Sequence, residues 1–278
     1  ADFINVEKRI AQLLSRFQAD DILLVVDIDN TLLAMNQDLG SDQWFNWQSE
    51  LLKASSRSPD LVAGNFEGLL QVQGTLFALS GMHPPEPGLP EIVSRIQGRM
   101  GVTTVVITSR GPEFRNAAER ELKSNGYHFN SPENALRIIE KRGLFKPFDP
   151  ENPDAHGLSA EIIAENLDRL RDVTYANGIY MTAGQHKGYM LKTLLARAVV
   201  GDGHADERRR FEAIVVVDDH RGHTEDVHKA FDGDPVDLVT FHYMQEDGND
   251  KNFDDSSKRH VVRDWNRLQE FIEIVLVR

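Results

Sequence analysis

Four short apolar runs, separated by helical patterns, constrain the fold of this chain more than any other feature. They lie at residues 22–28, 103–111, 213–219 and 236–243. Consecutive apolar positions over such a short length are typical of strands that are buried on both faces of a parallel sheet. Parallel neighbours need crossover connections, which are usually helices. The pattern therefore predicts an α/β fold with a doubly wound, mainly parallel sheet.

The segments between these runs predict the remaining elements. An Asn177-Gly178 pair between two apolar segments predicts a β-hairpin. The polar, acidic residues 247–257 predict a mobile loop. Helices are expected, from apolar spacing and from breaker residues, at 3–18, through most of 41–80, and at 90–98, 112–125, 187–200 and 260–275.

Composition excludes several classes of function. With 40% hydrophobic and 27% charged residues in 278, the chain is long enough and apolar enough for a packed core. A net charge of −13 argues against a nucleic-acid backbone as the main partner, because such binding requires clustered cations. The apolar runs are far shorter than the roughly 20 residues of a membrane-spanning helix, so no membrane span is expected. The absence of cysteine excludes thiolate metal sites and thiol nucleophiles.

The chain begins at Ala1 without an initiator methionine. That start fits an exported chain whose signal peptide has been removed, and it also fits a trimmed chain. Of the two, we favour export to the periplasm, with a cytoplasmic location as the alternative.

Three of the predicted strands end in polar side chains, and Lys187 begins a predicted helix after the hairpin. In parallel sheets the carboxyl ends of the strands meet at one edge, where ligands bind. Each feature alone has an ordinary explanation, such as a solvated turn, a helix N-cap or an exposed lysine. Their combination indicates a functional site. The strand-end residues are Asp27 and Asp29, Thr108 and Ser109, and Asp218 and Asp219.

These motifs resemble those of the haloacid dehalogenase-like superfamily of phosphotransferases. The segment Asp27-Ile28-Asp29-Asn30-Thr31-Leu32 is similar to its first motif, and Val105–Thr108 to its second. Lys187-Gly188 is similar to the third, and Val215–Asp219 to the fourth. The hairpin followed by GQHKG also resembles a subgroup of uncharacterised members from Gram-negative bacteria. Asn30 stands where many members carry glycine, and asparagine tolerates the same unusual backbone angles.

The resemblance implies a Mg²⁺-dependent phosphatase. Asp27 would attack phosphorus to form an aspartyl-phosphate, and Asp29 would act as general acid and base. Asp27, the Asp29 backbone carbonyl and Asp219 would bind Mg²⁺, with Asp218 in support, since carboxylate oxygens suit this hard ion. The substrate phosphate would be held by Thr108, Ser109 and Lys187, and Lys187 would also offset the negative charge.

The long intervals between the motifs predict insertions into the core fold. Residues 1–35 and 86–278 would form the core, 36–85 a small helical cap, and 128–180 a second, irregular insertion. A cap sets specificity and excludes water. We therefore expect a phosphorylated substrate, most simply a small molecule, whose identity depends on these insertions.

Two other functions fit the same motifs. The chain could be a phosphoacceptor signalling module, or a binding or effector protein that kept the fold without activity. Within the site, Arg110 is expected to form an outward salt bridge, and Trp44 and Trp47 to form the core of the cap rather than a substrate pocket. The spacing of His186, His220 and His223 argues against a histidine metal site.

Overall fold

The computed structural model describes residues 2–54, 58–129, 136–138, 143–199, 208–245 and 253–276. Their strands are β1 (Ile22–Val26), β2 (Ala34–Met35), β3 (Met82–His83), β4 (Thr103–Thr108), β5 (Arg137–Ile138), β6 (Leu144–Phe145), β7 (Val173–Ala176), β8 (Ile179–Met181), β9 (Ala198–Val199), β10 (Ala213–Asp218) and β11 (Asp237–His242). Their α-helices are α1 (Phe3–Leu13), α2 (Asp42–Lys53), α3 (Phe66–Leu79), α4 (Leu89–Ser94), α5 (Arg115–Ser124), α6 (Ala160–Asn166), α7 (Lys187–Leu195), α8 (Arg221–Ala230) and α9 (Asp255–Leu276).

Seven strands of the described residues form one sheet, in the order β11-β10-β1-β4-β8-β7-β6. The five from β11 to β8 are parallel, whereas β7 pairs antiparallel with β8, and β6 pairs antiparallel with β7. Val26 of β1 lies opposite Val217 of β10 and Val106 of β4. This register brings the ends of the three central strands together, which positions the residues that follow them at one edge.

The strand β1 divides its side chains between the two faces of the sheet. Ile22, Leu24 and Val26 pack with α1, α4 and α5, and Leu23 and Val25 pack on the other face with α6, α7 and α8. All five are at most 4% exposed. Full burial of one such side chain stabilises the fold by about 1.5–3 kcal/mol. The predicted α/β architecture with a mainly parallel central sheet is confirmed. The packing of β1 on both faces fixes the position at which the following loop begins.

A third apolar cluster lies outside these two cores. Trp44 of α2 and Leu69 of α3 pack there with Val261 of α9. Trp44 is 1% exposed, so the prediction that it forms core is correct, and Trp47 packs near the ring of Phe253 at 6.1 Å between centroids. The last helix therefore packs on α2 and α3, a contact between distant segments that local sequence patterns do not report.

The boundaries of the last helix differ from the expectation. Helix α9 begins at Asp255 rather than at 260, so the end of the predicted loop 247–257 is helical. Residues 247–252 of that loop lie outside the described residues. A side-chain cap explains the early start, because the Asp254 carboxylate accepts from the N–H groups of Ser256 and Ser257 at 2.8 and 3.0 Å. Among the described helices, none is both long and apolar enough to cross a membrane.

The strands β7 and β8 pair antiparallel through a tight turn at Asn177 and Gly178. Both turn residues have positive φ, +52° and +75°, as a type I′ turn requires. The Arg115 guanidinium of α5 donates hydrogen bonds to the carbonyls of Thr174, Ala176 and Ile179. These bonds hold the pair against α5, beside the end of β4.

Candidate functional site

The chain turns sharply after β1, and this turn presents Asp27 and Asp29. The carbonyl of Ile28 accepts from the N–H groups of Leu32 and Leu33, each at 2.9 Å. Asn30 has φ +51°, so the expectation that it takes a backbone conformation usual for glycine is confirmed. The turn returns the chain to the core, which is why two apolar leucines follow the carboxylates so closely.

Lys187 bridges two buried carboxylates at the centre of the site. Its Nζ lies 2.7 Å from Asp27 Oδ2 and 2.6 Å from Asp218 Oδ2. The side chains of Lys187, Asp27 and Asp218 are 4%, 7% and 2% exposed. Lys187 is the first residue of α7, so the helix start fixes the direction in which its side chain leaves the backbone. The structure thus brings together three of the residues that the sequence predicted.

The three groups perturb one another because they are buried. Burial opposes the charged form of Lys187, but the carboxylates of Asp218 and Asp27 outweigh this effect and raise its pKa. Burial also acts on Asp218, yet Lys187 and the hydrogen bond from His223 hold its pKa well below the usual range. For Asp27, burial and the nearby Asp218 carboxylate prevail over Lys187 and raise the pKa to about 6. Asp27 is therefore the group in this cluster whose charge responds to pH near neutrality.

Arg110 lies inside the site, and the expectation of an outward salt bridge is wrong. Its side chain is 3% exposed, and its Nε and Nη2 donate to the two oxygens of Asp29 at 3.1 and 2.6 Å. The guanidinium also lies over the ring of Phe77, 4.1 Å from its centroid. A two-point pair of this kind fixes both the position and the orientation of the Asp29 carboxylate.

Hydroxyl groups connect the strand ends. Thr31 Oγ1 accepts from the N–H of Asp219 at 3.1 Å, and so ties the turn after β1 to the end of β10. Thr108 Oγ1, fully buried, accepts from the N–H of Arg110 at 3.2 Å. Ser109 lines the same cavity as Asp27 and Asp29. All seven site residues that the sequence predicted therefore lie at this edge of the sheet.

A further carboxylate, Asp42, reaches the site from α2. It accepts from Asn30 Nδ2 at 3.1 Å and from Gln73 Nε2 at 3.4 Å. Burial, with the neighbouring Asp29 and Asp27 carboxylates, raises its pKa well above the usual value. The sequence did not single out Asp42, because an acidic residue just after an N-cap such as Ser41 is typical of the first turn of any helix.

The carboxylates of the site outnumber its cations. Burial raises the pKa of Asp219 to about 10, and the carboxylates of Asp42 and Asp27 add to the rise. Lys187 and Arg110 are the cations in direct contact with the cluster. The carboxylates are Asp27, Asp29, Asp42, Asp218 and Asp219. The crowding of these carboxylates opposes their ionisation, and a bound cation would relieve that repulsion.

The side chains of Asp27, Asp218 and His223 lie close enough together to share one ion. Ligand atoms of Asp27, Asp218 and His223 lie within 4.8 Å of one another. His223 Nδ1 is 3.1 Å from Asp218 Oδ1, a contact that the sequence interpretation did not include. Asp218 Oδ1 also accepts from the N–H of His220 at 2.9 Å, so the Asp218 carboxylate contacts Lys187, His220 and His223. Two carboxylates and one imidazole are groups that could hold a cation.

The site opens into a cavity of about 1100 Å³. Side chains of α2 and α3 form one wall, including Phe45, Phe66 and Leu70. Leu144 of β6 and Arg171 also line the cavity. Segments from both predicted insertions, 36–85 and 128–180, thus line the same cavity as Asp27.

Comparison with known proteins gives one assignment. Curated proteins show no match to the chain, and neither do solved structures. Residues 2–275 match the family described as "Protein of unknown function (DUF2608)". Because this match covers almost the whole length, the chain belongs to the DUF2608 family.

Proposed function

We propose that this chain is a Mg²⁺-dependent phosphatase that acts through an aspartyl-phosphate on Asp27. The observation that carries the proposal is the buried Asp27–Lys187–Asp218 cluster at a cavity, with Asp29 two residues along the same turn. The order of the motifs, which resembles the haloacid dehalogenase-like superfamily, supports the same chemistry.

The first step transfers the phosphoryl group to the protein. An oxygen of Asp27 forms a bond to phosphorus while the bond from phosphorus to the ester oxygen breaks. Asp29, as the general acid, donates a proton to the leaving oxygen. Lys187, 2.7 Å from Asp27, offsets the charge of the nucleophile, and the Thr108 and Ser109 side chains hold the phosphoryl oxygens.

The second step regenerates the carboxylate. Asp29 removes a proton from a water molecule, whose oxygen attacks phosphorus as the bond between Asp27 and phosphorus breaks. Inorganic phosphate leaves, and Asp27 is again a carboxylate. Arg110 acts as a positioning residue in the second step, because its two hydrogen bonds hold the Asp29 carboxylate in one orientation. In the first step Asp29 carries the proton on one oxygen and gives up the hydrogen bond from Arg110 to that oxygen.

A bound Mg²⁺ would neutralise charge on the phosphate during the transfer. Asp27, the Asp29 backbone carbonyl and Asp219 would hold it, with Asp218 in support. Asp218 suits a supporting role because Lys187, His220 and His223 already contact its oxygens.

We interpret residues 36–85 as a small cap and 128–180 as a second insertion, on a core of the haloacid dehalogenase type that includes the β7–β8 hairpin. Asp42 of α2 accepts a hydrogen bond from Asn30, so the first insertion touches the catalytic turn. Since both insertions line the cavity, they would select the substrate and exclude water.

Release of phosphate from a panel of aryl phosphates, with and without Mg²⁺, tests the proposal. The wild-type protein should release phosphate in the presence of Mg²⁺. The rate of release should fall roughly 10³-fold or more in Asp27→Asn, because this variant lacks the nucleophile. Glu67→Gln is the matched control, since Glu67 is an exposed carboxylate of the same cavity that lies outside the cluster. Its rate should stay close to that of wild type.

Unchanged turnover in Asp27→Asn would refute the mechanism. A stable phosphoprotein formed without turnover would instead favour the phosphoacceptor module. Absence of Mg²⁺ binding by calorimetry, with the fold intact by circular dichroism, would favour a binding or effector protein.

A further inference from the structure

Most of the cavity at the sheet edge lies beyond the reach of the phosphoryl group. Its volume of about 1100 Å³ is at the upper end of the range for pockets that enclose drug-sized ligands. The walls that surround this space therefore meet the alcohol part of a substrate. The inference drawn from them rests on the proposed phosphatase function.

One wall is a single face of α3. Phe66, Leu70, Gly74 and Phe77 follow one another at intervals of three or four residues and all line the cavity. Phe77 lies deep in the site, where its ring supports Arg110. Phe66 lies at the mouth, 47% exposed, and its ring meets that of Phe45 edge-on at 5.8 Å between centroids. The face thus offers a continuous apolar surface from the mouth to the catalytic turn.

A second exposed apolar side chain faces the same cavity from another element. Leu144 of β6 is 65% exposed and lines the cavity beside Thr174 of β7. Exposed large apolar residues from two elements of one cavity indicate a binding surface more strongly than a single such residue does. An apolar group bound against these side chains would remove apolar surface from water.

An acidic residue beside the apolar face of α3 disfavours a second anionic group at that place. Among the described residues that line the cavity, Arg110 pairs with Asp29 and Arg221 with Glu225, whereas Arg115 and Arg171 donate to backbone carbonyls and keep their positive charge. Carboxylates also line it away from the catalytic cluster, at Glu67, Glu113 and Asp172. A carboxylate on an apolar group beside Phe66 would adjoin Glu67, the next residue of α3, whose charge would repel it.

We propose that the site takes monophosphate esters of uncharged alcohols that carry an aromatic or other apolar group. The phosphoryl group lies at Asp27, and the apolar group lies against α3 and β6. Esters of strongly hydroxylated alcohols and esters with a second anion are poor substrates.

Three substrates with similar primary alcohols test the proposal, so that leaving-group chemistry stays nearly constant. They are 2-phenylethyl phosphate, glycerol 3-phosphate, and 2-phenylethyl phosphate with a para-carboxylate on its ring. Wild type should prefer the first over each of the others by about tenfold or more in kcat/KM. Phe66→Ala should reduce kcat/KM for 2-phenylethyl phosphate about tenfold and change that for glycerol 3-phosphate little. Leu79→Ala, which removes another exposed apolar side chain of α3 outside the cavity, should change neither.

The outcomes separate this inference from the proposed function. Turnover with equal kcat/KM for the three substrates would overturn the substrate class and leave the phosphatase intact. If none is hydrolysed, the phosphatase proposal fails, and calorimetry with benzylphosphonate and methylphosphonate in Mg²⁺ tests the cavity directly. Tighter binding of benzylphosphonate that is lost in Phe66→Ala would support the apolar subsite, and equal binding of the two would overturn it.

Discussion

Replacing Lys187 with methionine would remove the ammonium group that lies between two buried carboxylates. At contact distances of 2.7 and 2.6 Å, each ion pair carries a Coulomb attraction of about 6 kcal/mol at an effective dielectric constant of about 20. The cost of burying the charges offsets much of it, and removal of one partner from a buried pair typically costs about 3–5 kcal/mol. We expect Lys187→Met to lower the free energy of unfolding by that amount at pH 8, where the ionised Asp27 and Asp218 would repel each other.

The loss should depend on pH in a defined direction. Without the ammonium group, Asp27 would bind a proton more readily, because burial and Asp218 already raise its pKa to about 6. At pH 5 the repulsion should be relieved, so the destabilisation by Lys187→Met should be smaller than at pH 8. The double variant Lys187→Met/Asp27→Asn should also be more stable at pH 8 than Lys187→Met alone.

Urea unfolding at both pH values, followed by circular dichroism, measures these free energies. Lys192→Met is the matched control, because Lys192 lies on the same helix and pairs at 2.9 Å with Asp234, which is 38% exposed. That change should cost less than about 1 kcal/mol. If Lys187→Met cost no more than Lys192→Met at pH 8, the reasoning from the buried cluster would be refuted.

The remaining predictions concern the cation, the α3 face and the turn. The raised pKa of Asp27 means that the folded protein binds more protons than the unfolded chain between about pH 4 and pH 6, so this group's contribution to stability falls as pH rises through that window. Because a cation binds the ionised form of Asp27, Mg²⁺ should raise the Tm more at pH 8 than at pH 5. An equal rise at the two pH values would contradict this. Gly74→Ala should lower the free energy of unfolding in urea by about 1–3 kcal/mol, because its new Cβ would lie 2.0 Å from the ring of Phe114. Gly98→Ala is the control and should not lower it, because no atom lies within 4 Å of the new Cβ. Asn30→Val should lower the Tm by several degrees more than Asn30→Gly, since both changes remove the hydrogen bond from Asn30 to Asp42 and only the β-branched residue is strained at φ +51°. Equal Tm values would show that the turn imposes no such requirement.

The sequence by itself determined the central sheet and the position of the site. Four apolar runs predict buried strands because their side chains must leave water on both faces, and these runs form the parallel part of the sheet together with β8. Since parallel strands end at one edge, the strand-end residues could be predicted to meet. Asp27, Asp218 and Lys187 do meet, at 2.6–2.7 Å.

Only the tertiary structure decided which further groups join them. The local sequence around Arg110 suits an exposed cation, but β4 directs it onto Asp29 and the ring of Phe77. Asp42 is 15 residues beyond Asp27, in helix α2, and α9 packs on Trp44 from the far end of the chain. Periodicity reports which face of an element is apolar, not which distant element covers that face. These contacts depend on how the helices pack against the sheet, and so they are specified by the fold as a whole.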